Sequence, residues 1–158
     1  PPQTPVDFAS IIMETVDHLR NSQKDRGADI AVDVTSDLPP VMGDVGQLRQ
    51  LASNILNNSM KYGHAGTPVS VSLTPSKSGA MINFAVTDVG DGIAPEHLPR
   101  LTERFYRVDS GRSRLVGGTG LGLSLVKHIV DRHRGHLEIR SILSKGTTVS
   151  ILLPVAHS

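Results

Sequence analysis

The spacing of apolar positions changes several times along the chain, and each change predicts an element. From about Val6 to Lys24, the residues Phe8, Ile11, Ile12, Val16 and Leu19 return every three or four positions, the period of an amphipathic helix. Ile30, Val32 and Val34 then alternate with polar residues, which predicts a strand from Asp29 to Val34, broken by Asp37-Leu-Pro-Pro. A second helix is predicted from Val45 to Tyr62, with Leu48, Leu51, Ala52 and Ile55 as its buried stripe. Strands follow at about Val69 to Thr74 and Ala80 to Thr87, turned by Ser76-Lys-Ser-Gly. From Asp88 to about Gly120 the chain is rich in Gly, Arg and Pro, with room for one short helix at Pro95 to Leu101. Connections of that length inside a domain are usually functional lids or disordered. A third helix is predicted from Leu121 to Arg134, its apolar face formed by Leu121, Leu125, Val126, Ile129 and Val130, with Gly135 as its C-cap. Strands at His136 to Ser141 and Thr147 to Leu153, turned by Lys145-Gly146, close the chain. The order implies an α+β fold, a two-layer sandwich with helices on one face of a mixed sheet.

Composition narrows the classes. The chain has 158 residues, 38% of them hydrophobic and 20% charged, which suits one folded domain (residues 6–158) after a proline-rich linker end at 1–5. A net charge of +1 offers no reason to expect nucleic acid or a membrane surface as partner. The absence of cysteine excludes disulfides and thiolate metal sites. No apolar run reaches the length of a membrane span, and the first residues lack the core of a signal peptide.

Four groups of residues carry candidate chemistry. At about 100° per residue, Asn54, Asn58 and Lys61 share one side of the second helix, a flank from its apolar stripe. Two amides and an ammonium could face a cleft there, or only solvent; three asparagines in Asn54-Ile-Leu-Asn57-Asn58 need some compensating reason in a helix. Asp88-Val-Gly90-Asp-Gly92-Ile93 follows a predicted strand. Its glycines permit a tight turn and close approach of a ligand, while the same residues also suit an ordinary turn. Gly117-Gly118-Thr119-Gly120-Leu121-Gly122-Leu123 opens the third helix, where free N–H groups form an anion site or the glycines form a hinge. It fits neither the dinucleotide fingerprint nor the Walker pattern. Between these lies Glu103-Arg104-Phe105-Tyr106-Arg107-Val108-Asp109, followed by Arg112 and Arg114, a density of arginine that suits a triphosphate. His128 and His133 are too far apart round their helix to share a metal, and His136 lies beyond its end; His18 reads as a surface residue.

In this order the four groups resemble the N, G1, F and G2 boxes of sensor histidine kinase catalytic domains, and the similarity runs from about Val6 to Pro154. Arg100-Leu-Thr-Glu-Arg-Phe-Tyr-Arg-Val-Asp looks especially like kinases sensing phosphate limitation. The resemblance implies the Bergerat fold of the gyrase-type and chaperone ATPases, with Mg-ATP as ligand. Asp88, helped by Thr147 and a water, would bind the adenine amino group. Asn58 would hold Mg²⁺ with Asn54 assisting, and Lys61, Tyr62 and Arg107 would contact phosphate. Gly90, Gly92, Ile93, Phe105, Tyr106, Gly118, Thr119, Gly120, Leu121, Gly122 and Leu123 would complete the nucleotide site, with Gly92 to Gly120 as the ATP lid. Asn58, Lys61 and Arg107 would serve the chemistry.

Ser59 stands where the N box commonly has alanine. Gyrase-type ATPases have a glutamate base at the position of Asn54, and an amide cannot take a proton, so phosphotransfer is expected over hydrolysis. The phosphoacceptor pattern is absent, since His18 is followed by Leu-Arg-Asn-Ser. The acceptor histidine would belong to a dimerisation hairpin, in a homodimeric parent anchored in the inner membrane with this domain in the cytoplasm. A response regulator would receive the phosphoryl group. An anti-sigma-type serine kinase of the same fold, or a degenerate nucleotide-binding scaffold, are the alternatives.

Overall fold

A computed structural model describes residues 4–22, 29–103 and 122–156. They form strands β1 (Thr4–Val6), β2 (Ile30–Val34), β3 (Val41–Gly43), β4 (Val69–Pro75), β5 (Met81–Asp88), β6 (His136–Ile142) and β7 (Gly146–Pro154). The α-helices are α1 (Phe8–Ser22), α2 (Val45–Tyr62) and α3 (Gly122–Arg132). The main sheet runs β2-β4-β5-β7-β6, with β2 parallel to β4 and every other pair antiparallel. This is the expected two-layer sandwich.

One face of the sheet is apolar because alternate residues of each strand share it. Val69, Val71 and Leu73 of β4, Ile82, Phe84 and Val86 of β5, and Val149, Ile151 and Leu153 of β7 are all buried. The helices cover that face with most of the stripes read from the sequence: Phe8, Ile11, Ile12, Val16 and Leu19 of α1, Leu48, Leu51, Ala52 and Ile55 of α2, joined there by Leu56, and Val126, Ile129 and Val130 of α3, where Leu125 is only half-buried and Leu121 lies outside the described residues. Phe8 meets Phe84 edge to face with ring centroids 5.5 Å apart, joining the two layers at the centre. The opposite face carries Asp33, Ser70, Ser72, Thr87, Thr148, Glu138 and Arg140, and it remains largely open to solvent.

Four local features differ from the expectation. Thr4 and Pro5, read as a linker end, lie in β1, which pairs antiparallel with β3 in a separate two-stranded sheet. Three-residue strands are too short for alternation to reveal them. The helix expected at Pro95 to Leu101 is a 3-10 turn at Leu98–Arg100, starting with the bulky Leu98 before Pro99. α1 starts at Phe8 rather than Val6, because Val6 belongs to β1. At the end of α3 the left-handed residue is Arg134 (φ 57°), not Gly135. Arg134 N–H donates to Asp131 O and Gly135 N–H to Val130 O, the paired bonds of a Schellman ending. Gly135 is small for another reason: a Cβ there would lie 2.3 Å from Leu152 O of β7.

Candidate nucleotide-binding site

α2 is held at its N-terminus by Asp44, whose carboxylate accepts from Gln47 N–H at 2.9 Å. His133 fixes the same end: its Nε2 accepts from Asp44 N–H at 3.1 Å, and its Nδ1–H donates to Ile129 O at 2.8 Å. The ring is buried, and these two bonds specify the neutral tautomer with hydrogen on Nδ1. α2 and α3 are thereby locked together at the end remote from the cleft. Of the three asparagines, Asn57 bonds back to its own helix, its Nδ2 donating to Ser53 O at 2.8 Å. That satisfies an amide otherwise poorly suited to a helix.

At the other end of α2 a cleft of about 250 Å³ opens between the helices and the sheet. Ile55, Ile93, Leu101, Leu123, Ile139 and Val149 make its walls mostly apolar. Its polar groups come from Asn58, Ser59 and Tyr62 of α2, Asp88 at the end of β5, Asp91 of the following turn, and Thr147 of β7. An apolar slot with a few convergent polar groups is the usual form of a small-molecule site. Asp88 is 7% exposed, a carboxylate set at the end of the central strand. α3 begins beside Asn58: a Cβ on Gly122 would sit 3.5 Å from Asn58 Nδ2.

The turn after β5 is fastened on two sides. Gly63 at the end of α2 bridges Gly90, and His64 N–H donates to Val89 O at 2.7 Å. On the other side Gly90 N–H donates to Lys145 O (3.3 Å), Ser144 N–H to Asp91 O (2.7 Å), and Ile93 N–H to Ser141 Oγ (2.8 Å). The glycines are explained by this fastening. A Cβ on Gly90 would lie 2.5 Å from Tyr62 O, and one on Gly92 (φ 73°) would lie 2.2 Å from Ile142 O. Both collisions are with the protein's own backbone, not with a ligand's space. At the rim, His64 Nε2 and Asp91 Oδ1 are 2.7 Å apart, both half-exposed.

The structure thus gathers Asn58, Tyr62, Asp88, Gly92, Ile93, Leu123 and Thr147 at one cleft. Lys61 is exposed and Asn54 half-buried, and neither belongs to the cleft wall; Gly90 is buried behind it. Phe105, Tyr106, Arg107, Gly118, Thr119, Gly120 and Leu121 lie outside the described residues. The sequence reading missed Ile55, Ser59, Asp91, Leu101, Ile139 and Val149 as parts of this site. Val149 had a signal, since it stands two residues from Thr147 and therefore on the same face of its strand.

Residues 43–157 match the family described as histidine kinase-, DNA gyrase B- and HSP90-like ATPase. The chain is 43% identical over 114 residues, 72% of its length, to the phosphate regulon sensor protein PhoR of Haemophilus influenzae, covering 26% of that protein. It is 40% identical over 152 residues, 94% of its length, to the sensor-like histidine kinase SenX3 of Mycolicibacterium smegmatis, covering 38% of that protein. The chain therefore spans about a quarter to two-fifths of the length of these relatives. Among solved structures it resembles the mycobacterial sensor histidine kinase MprB, with TM-score 0.81, 32% identity, and coverage of 98% of this chain and 100% of that one. No described helix is long and apolar enough to cross a membrane.

Proposed function

The chain belongs to the histidine kinase-, DNA gyrase B- and HSP90-like ATPase family, and on that premise we propose that it binds Mg-ATP and donates the γ-phosphoryl group to a histidine on a separate dimerisation hairpin. The observation that carries this reading is the joining of Asp88, Thr147 and Asn58 around one apolar slot. Adenine fits between Ile93, Leu123, Ile139 and Val149, with its amino group toward Asp88 and Thr147. The triphosphate then extends toward Asn58 and the start of α3, whose positive end favours anionic oxygens. Asn58 offers an amide oxygen, a hard ligand of the kind that would hold Mg²⁺ beside the phosphates. The ion, when bound, would neutralise charge on the phosphates. Lys61 and Arg107 add positive charge, and no residue of this chain forms a covalent intermediate.

Asn54 stands where the gyrase-type ATPases place a general base. An amide cannot activate water by taking its proton, which favours transfer to an incoming histidine over hydrolysis. The partners follow: a homodimeric parent that supplies the hairpin and is anchored in the inner membrane with this domain in the cytoplasm, and a response regulator downstream. Titration calorimetry with Mg-ATP, followed by radiolabelled ATP with the parent's hairpin added in trans, tests the reading. Label appears on the hairpin as an acid-labile phosphohistidine, and none appears on this chain. Acid-stable label on a serine of a partner, or no ATP binding, overturns it.

A further inference from the structure

Behind two residues of the cleft wall, Ile93 and Thr147, stands a polar residue that no box of the family resemblance supplied. Ser141 on β6 stands opposite Thr147 on β7, and Thr147 stands opposite Asp88 on β5. The three side chains form one row across three strands at the end of the sheet, on the face that carries the cleft. Ser141 Oγ has three neighbours at hydrogen-bond distance: Ile93 N–H at 2.8 Å, Gly146 O at 2.9 Å and Thr147 Oγ1 at 2.8 Å.

A hydroxyl has one hydrogen to give and two lone pairs to receive. Ile93 N–H can only donate, which uses one lone pair. Gly146 O can only accept, which uses the hydrogen. The remaining lone pair faces Thr147 Oγ1, so Thr147 must donate to Ser141. The reverse assignment, with Ser141 donating to Thr147, would leave two acceptor oxygens 2.9 Å apart with no hydrogen between them. With its own hydrogen committed sideways, Thr147 presents only lone pairs to the cleft it lines.

We propose that Ser141 is a specificity-setting positioning residue: it commits the Thr147 hydroxyl hydrogen and so makes the floor of the cleft, Asp88 and Thr147 together, a surface of acceptors that selects a base bearing an exocyclic amino group. The inference rests on the adenine-nucleotide reading above and adds the residue that fixes its polarity. An amino group offers two hydrogens to two acceptors, directly or through one water. A 6-oxo base offers an oxygen, and against an acceptor floor that pairing is repulsive. Without Ser141, Thr147 can rotate and donate, so the floor no longer discriminates as strongly.

The test compares ATP with ITP, which differ at position 6 and N1, by calorimetry on the intact chain. Reading both nucleotides against each variant cancels every contribution that the substitution leaves unchanged. Ser141→Ala should reduce the ATP-to-ITP affinity ratio by about threefold to tenfold, the worth of one neutral hydrogen bond, and Ser141→Thr should retain the wild-type ratio. Thr147→Val should also reduce the ratio, and adding Ser141→Ala to it should reduce it no further. A merely structural role of Ser141, through Ile93, lowers both affinities in equal proportion and leaves the ratio intact; that result overturns the proposal. Should Ser141→Ala fail to fold by circular dichroism, Thr147→Val decides alone, and an unchanged ratio overturns the proposal. Wild-type protein that binds ATP but shows no preference over ITP also overturns it, whereas wild-type protein that binds no ATP brings down the underlying reading first.

Discussion

Replacing Gly90 by alanine separates two explanations for a glycine in a nucleotide-binding turn. If the glycine exists to admit a ligand, the variant should fold as well as the wild type and bind ATP poorly. The geometry argues otherwise. The added Cβ would lie 2.5 Å from Tyr62 O, the carbonyl of the last residue of α2. A carbon and an oxygen normally approach to about 3.3 Å, so the turn must retreat by roughly 0.8 Å. Retreat strains the Gly63 to Gly90 bridge and the bond from His64 N–H to Val89 O, which fasten the turn to α2. Forcing a methyl into packed surroundings costs about 1–3 kcal/mol. For a domain of this size that corresponds to a fall in Tm of roughly 2–12 °C. Thermal unfolding without nucleotide measures it directly, and calorimetry then reports the secondary loss of ATP affinity as Asp88 and Ile93 shift with the turn. An unchanged Tm without nucleotide, combined with a collapse of ATP binding, would refute the steric argument and restore the ligand's claim on Gly90.

Gly46 provides the contrast: it lies in the first turn of α2, a Cβ there meets only Asp44 Oδ1 at 3.4 Å, and Gly46→Ala should stabilise by about 0.4–1 kcal/mol in urea unfolding. Asp88→Ala should weaken ATP by roughly tenfold to a hundredfold while GTP changes little, and Asp88→Asn should partly rescue GTP through an amide donor; equal wild-type affinities for ATP and GTP would show that Asp88 does not read the base. His133→Leu leaves Asp44 N–H without its imidazole partner and should cost about 1–3 kcal/mol in stability. Because His133 lies beyond the far end of α3, about 16 Å of helix from Gly122, the same variant should keep wild-type ATP affinity by calorimetry.

Regular elements of this protein were legible because their apolar periods are long and clean. The stripes of α1 and α2 and the alternation in β4, β5 and β7 follow from burying one face of each element, a requirement that acts locally along the chain. The candidate site was partly legible for a similar reason: Asn58, Asp88 and Thr147 lie in motifs whose residue types and order are themselves informative. Tertiary structure decided the rest, because the remaining choices depend on which backbones meet. Arg134 takes the left-handed position while Gly135 is kept small by Leu152 O of a strand arriving later in the chain. Gly90 and Gly92 suited either a tight turn or the close approach of a ligand, and the fold shows that their missing side chains make room for Tyr62 O and Ile142 O. Asn54 and Lys61 share a helical face with Asn58, but the cleft reaches only the part of that face lying against Gly122 and the sheet. Ser141 was invisible in the sequence because its meaning comes from register: only when β6, β7 and β5 align does a lone serine stand in one row with Thr147 and Asp88. Periodicity fixes which way a residue faces along its own element, and only the pairing of distant strands fixes what it faces.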